Sequence, residues 1–121
     1  MARAKKFPAQ DLIYTNFYGP PGRVDVAPSV DSSVSSSLAA GLCIFEDCSM
    51  DYTMMYDDVL YILEGELTFR TEEYKVHCCP GDTMWVPDAI TGTFIAKGRC
   101  KAFYAVHPVN WDEKVGFTPD T

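Results

Sequence analysis

The stretch from Tyr56 to Pro87 leaves this chain few folds to adopt. It reads Y-D-D-V-L-Y-I-L-E-G-E-L-T-F-R, then a short β-prone segment, then C-P-G-D-T-M-W-V-P. Two glycine turns, Glu64-Gly65-Glu66 and Pro80-Gly81-Asp82, punctuate segments rich in β-branched and aromatic residues. Glycine permits the positive φ of a tight turn, and proline fixes the approach to it. Short strands between such turns predict an antiparallel sandwich or barrel.

The rest of the chain extends that reading. Leu38–Glu46 is the first strong strand. Val59–Leu63 and Leu67–Thr71 read as a hairpin across Glu64–Glu66, followed by strands at Tyr74–Cys78, Thr83–Val86, Thr93–Ala96 and Lys101–His107. No long stretch of 3.6-residue periodicity competes with them. Residues 1–37 read as an irregular arm of the same domain, with one or two short edge strands near Asp11–Phe17 and Arg23–Val26 and a serine-rich loop at Asp31–Ser37. Residues 38–121 read as the barrel proper with a short tail, in which Trp111 packs against the barrel end.

A chain of 121 residues is one domain with a sizeable core. Ten basic against 17 acidic residues give a net charge of −7, which repels phosphate backbones and argues against nucleic acid. No apolar run approaches the roughly 20 residues that cross a bilayer, so no membrane partner is expected. The opening M-A-R-A-K-K-F-P lacks the apolar core of a secretory signal, and the five cysteines form no C-x-x-C pair. Reduced thiols and a cytoplasmic location are expected.

Five segments carry a family resemblance: A-A-G-L-C-I-F-E (39–46), Y-D-D-V-L-Y-I-L-E-G-E-L (56–67), P-G-D-T-M-W-V-P (80–87), T-G-T-F (91–94) and F-Y-A-V-H-P-V-N-W (103–111). They resemble the small single-domain cupins, and within these the ethanolamine-utilisation protein Q group. The resemblance implies an all-β jelly-roll, the cupin double-stranded β-helix, and a homodimer of barrels. It also implies a cytosolic role in small-amine or acetyl-group metabolism. Metal-binding cupins hold their ion with three histidines and a glutamate. Matched to this sequence, the glutamate falls at Asp58, the paired histidines at Asp51 and Thr53 or at Tyr52 and Met54, and the last histidine at Gly92. Zinc and iron favour imidazole or thiolate, so neither metal nor other cofactor is expected.

Asp58 is the candidate catalytic residue. Strand alternation sends Asp58, Leu60 and Ile62 inward and Val59, Tyr61 and Leu63 outward. A buried carboxylate there would bind a polar ligand or accept a proton; the alternative is a loop carboxylate capping backbone amides. Glu46 either pairs with Asp58 across the mouth or is a surface strand end. Tyr52, Tyr56, Trp85, Phe94 and Tyr104 either fill the core or wall a ligand pocket. His107 lies near the rim as structure or as ligand contact, and His77 reads as structural. Three functions follow: a metal-free cup for a small polar metabolite, a dimeric structural or regulatory module, or a metalloenzyme using Glu46, Asp58 and His107. No glycine-rich loop opens a helix to cradle phosphate.

Overall fold

The computed structural model describes residues 3–119 and is an all-β jelly roll with one short helix. Its frame is the antiparallel pair of β3 (Ala39–Thr53) and β8 (Thr91–His107), in register from Ala39↔Val106 to Thr53↔Thr91. The ladder breaks once, between Glu46 and Cys48. There Asp47 adopts a φ of 44°, and its carboxylate accepts the Gly98 N–H at 2.7 Å. The break lets both strands bend and serve two layers.

In one layer, β3 and β8 are flanked by β2 (Arg23–Val30) with β1 (Thr15–Tyr18) beyond it, and by β4 (Asp57–Glu64) with β7 (Thr83–Val86) beyond that. In the other, β8 pairs with β5 (Leu67–Arg70), which pairs with β6 (Lys75–Cys78). The helix α1 (Trp111–Val115) stops at Gly116, whose φ of 71° is the left-handed conformation of a helix end. Trp111 is buried, as expected of the tail.

Three expectations need correction. The segments Val59–Leu63 and Leu67–Thr71 do not form a hairpin. A strand has two hydrogen-bonding edges, and β4 spends both on β7 and β8. The chain crosses between layers at Gly65, where φ is 76° and a Cβ would stand 2.1 Å from the Arg99 carbonyl oxygen. Thr93–Ala96 and Lys101–His107 are parts of one bent strand, with Gly98 in the bend. The arm is less irregular than its composition implied: Ala9–Asp11 is a 3-10 turn, and β2 is an interior strand that buries Val24, Val26 and Ala27. Asp25 and Pro28 had masked its pattern. The Asp25 carboxylate is held by Arg23 and Asn16, which lets it be buried.

Alternation in β4 is as expected. Asp58, Leu60 and Ile62 are buried, whereas Val59, Tyr61 and Leu63 are exposed.

Candidate functional site

The inner faces of the two layers enclose a cavity of about 50 Å³. Asp58 faces it from β4, in register with Val86 on β7 and Val106 on β8. Both neighbours are aliphatic. Asp58 is 7% exposed, and its Oδ1 makes no hydrogen bond to any described residue. Burial away from water disfavours the charged carboxylate and pushes its pKa up to about 8.

Aromatic rings share the rest of the wall with aliphatic side chains such as Val24, Val26 and Leu60. Tyr52 and Tyr56 share a hydroxyl hydrogen bond of 2.9 Å. Trp111 caps one end, its ring 5.3 Å from Tyr56 and 5.8 Å from Tyr104, both edge-on. Phe94 stands 6.1 Å from Tyr52 and 5.7 Å from Phe45. The Tyr104 hydroxyl is buried and, like Asp58 Oδ1, without a hydrogen-bond partner among the described residues. Burial raises the phenols as well, Tyr52 to about 12, so each stays protonated at neutral pH. The Cys43 thiol also lines the cavity and is raised by burial and then by Asp58.

Of the residues singled out in the sequence, Asp58, Tyr52, Tyr56, Phe94 and Tyr104 meet in this cavity. Glu46, Trp85 and His107 do not. Phe45 points inward, so Glu46 beside it is exposed and cannot pair with Asp58. Met84 and Val86 are buried, which turns Trp85 outward to 56% exposure. Tyr104 and Val106 point inward, which leaves His107 on the outer surface near Leu38 and Val59. The period of two alone placed these three outside. Cys43 and Trp111 were the main omissions. Cys43 is two residues from Phe45 and shares its face, whereas Trp111 arrives only through the helical tail. His77 lies outside the cavity, exposed and bonded to Thr68 and Glu66.

The residues at the cupin ligand positions do not fit a transition-metal ion. Of the two alternative pairs, Tyr52 lines the cavity and Met54 is buried without lining it, whereas Asp51 accepts from the Thr93 hydroxyl and Thr53 bonds Thr91 outside the cavity. The four positions therefore offer a neutral phenol, a thioether, one carboxylate and, at Gly92, no side chain. A Cβ on Gly92 would lie 2.5 Å from Phe69 Cζ and 2.7 Å from the Arg70 carbonyl oxygen. Restoring an imidazole here is expected to fail. Even Gly92→Ala should cost about 1–3 kcal/mol by overpacking, read as a lower urea midpoint at unchanged slope.

Residues 19–113 match the family model described as ethanolamine utilisation protein EutQ. Among curated proteins, the chain is 32% identical over 91 residues to the Escherichia coli K12 protein named acetate kinase EutQ, covering 75% of this chain and 39% of that protein. The chain thus spans about two fifths of that relative's length. Among solved structures, the Clostridium difficile EutQ protein superposes with a TM-score of 0.75 at 21% identity, covering 79% of this chain and 70% of that one. The ethanolamine utilization protein q of Salmonella typhimurium LT2 superposes with a TM-score of 0.71 at 23% identity, covering 83% and 98%. At these identities the structures share the fold.

Proposed function

We propose, from a chain that belongs to the ethanolamine utilisation protein EutQ family, that its barrel is a metal-free cup for one small organic cation. The carrying observation is the buried, unpartnered oxygen of Asp58 inside a wall of aromatic and aliphatic side chains. An unsatisfied buried polar group calls for a partner. Among the described residues neither lysine nor arginine lines the cavity, so none of them supplies a counter-ion there. An ammonium would provide one, and the aromatic faces would add cation–π attraction. Size narrows the class. One water needs roughly 10–15 Å³ of such space, so a cavity of about 50 Å³ suits a small ligand. Ethanolamine is of that size; a nucleotide is not. The phosphoryl transfer in the curated relatives' name is therefore not assigned to this cup.

Any proton transfer in the cup falls to Asp58, because a pKa near 8 suits exchange at neutral pH. The five unpaired cysteines support a reducing, cytoplasmic setting. Among the described residues no helix is long and apolar enough to cross a membrane.

The test is a thermal-shift series at saturating ligand. Ethanolamine and methylamine should raise the melting midpoint, while ethylene glycol should not, and Asp58→Asn should lose the response. An equal shift from the neutral diol, or an unchanged response in Asp58→Asn, would refute the cation reading. A second reading follows from the proton Asp58 keeps at pH 7: a small carboxylic acid could share it. That ligand would bind more weakly as pH rises, the opposite of an ammonium.

We further propose that two copies pair through the outer face of β4, β7 and β8. Val59 sits in register with Trp85 on one side and Ala105 on the other, and Tyr61 with Phe103. Val59, Tyr61, Trp85 and Phe103 are all exposed, forming an apolar surface of the kind interfaces cover, with Asp57 and His107 at its edge. A two-fold axis through this face would bury each copy's patch on the other's. Trp85→Lys is expected to sediment as a monomer where the parent sediments as a dimer. A parent that is monomeric at high micromolar concentration would rule the pairing out.

A further inference from the structure

The outer face of the second layer carries a separate cluster. In β5, Leu67 and Phe69 are buried, so Glu66 and Thr68 face outward. In the β6 segment Cys78 is buried, so His77 and Cys79 face outward. The pairing Thr68↔His77 and Leu67↔Cys78 sets the two outward pairs side by side, and the same register continued by one step puts Glu66 across from Cys79. One carboxylate, one imidazole and one thiol thus share a patch, with their ligand atoms all within 4.8 Å of one another.

We propose that Glu66, His77 and Cys79 form a surface site for a zinc-type divalent cation. The Thr68 hydroxyl lies 2.7 Å from His77 Nδ1 and fixes the ring, leaving Nε2 directed at Glu66 Oε1, also 2.7 Å away. A partner on the second ring nitrogen is the usual support of a ligating histidine. The Cys79 N–H donates to Asp82 Oδ2 at 2.8 Å, which anchors the backbone under the thiol. Tetrahedral zinc, with bonds of about 2.0–2.3 Å, needs its ligand atoms roughly 3.3–3.6 Å apart. Exposed side chains reach that spacing by small rotations, with His77 and Glu66 opening from 2.7 Å. The fourth position faces solvent and suits a water. A nitrogen–sulfur–oxygen set selects zinc, cobalt or copper over magnesium or calcium. Lys97 borders the same concavity and is the one cation among its lining residues. Glu66 and a Cys79 thiolate outweigh it. This site is on the outside of β5–β6, whereas the cup lies between the layers.

The experiment is titration of the reduced, intact chain with cobalt(II), followed by competition with zinc(II). One equivalent of cobalt should bring up a thiolate-to-cobalt charge-transfer band and visible bands of tetrahedral intensity, both bleached by zinc. Cys79→Ser should abolish the charge-transfer band, and His77→Ala should weaken zinc binding at least tenfold. Both positions are exposed, so both variants should melt like the parent without metal. Asp58→Asn should bind cobalt as the parent does, which separates this site from the cup. Absence of a thiolate band in the parent, retention of it in Cys79→Ser, or its loss in Asp58→Asn would overturn the assignment.

Discussion

Asp58→Asn is expected to unfold at higher denaturant than the parent at pH 8, and at nearly the same denaturant at pH 4. In the unfolded chain the Asp58 carboxyl ionises near its ordinary value of 3.8, whereas in the fold burial holds it up to about 8. Between these values the folded state retains a proton that the unfolded state releases. Stability therefore falls as pH rises through this window, because the native state binds more protons. Each pH unit costs at most about 1.4 kcal/mol, so the full window is on the order of 5 kcal/mol as a ceiling. Asparagine has nearly the same shape and no proton to lose, and should flatten the slope. The buried phenols Tyr52, Tyr56 and Tyr104 and the Cys43 thiol are raised from values already above this window, so they do not contribute within it. Urea midpoints of both proteins at pH 4, 6 and 8 decide the matter. Parallel pH profiles would mean that Asp58 ionises in the fold much as it does in the open chain.

Gly41→Ala should be strongly destabilising for a change of one methyl group. Gly41 sits where β2, β3 and β8 cross, in register with Pro28 on one side and Tyr104 on the other. A Cβ there would lie 2.4 Å from the Ala27 carbonyl oxygen, 2.9 Å from Pro28 Cα and 2.7 Å from the Tyr104 hydroxyl. Two of those three atoms are backbone, so β2 must move away from β3 as a unit. The loss should be about 3 kcal/mol, at the upper end for overpacking. Displacing Tyr104 should also weaken the response to amines. Ile62→Val, which leaves a small void in the same layer at a buried residue that does not line the cavity, is the comparison. It should lose stability by cavity formation while keeping the amine response. A Gly41→Ala protein as stable as the parent would mean that the β2–β3 contact is looser than the structure has it.

The turn chemistry and the period of two carried most of the barrel. Thr83–Val86 falls where its turn residues and β-branched content place it, and inward Asp58 followed from its neighbours Leu60 and Ile62. The pairing of β4 was not legible, because Gly65 serves a hairpin and a layer crossing equally well. Only the occupied edges of β4 decide between them. β2 was hidden for another reason: a buried Asp25 looks like a surface residue until its Arg23 and Asn16 partners are seen. At the site, alternation already contains the outward turn of Glu46, Trp85 and His107; the chemistry of a side chain does not say which face it occupies. Trp111 could be assigned to the barrel end from sequence. Its edge-on contacts with Tyr56 and Tyr104 emerge only in the fold, where Trp111 opens α1.

Calorimetric titration with ethanolamine at pH 6 and pH 8, each in two buffers of different ionisation enthalpy, goes most directly to the nature of the cup. An ammonium that pairs with Asp58 must displace its proton wherever the carboxyl is still protonated. Close to one proton should be released at pH 6 and about half that at pH 8, with affinity rising toward tenfold per pH unit over the lower part of the range. Binding at both pH values with no proton release and no change in affinity would contradict an Asp58–ammonium pair.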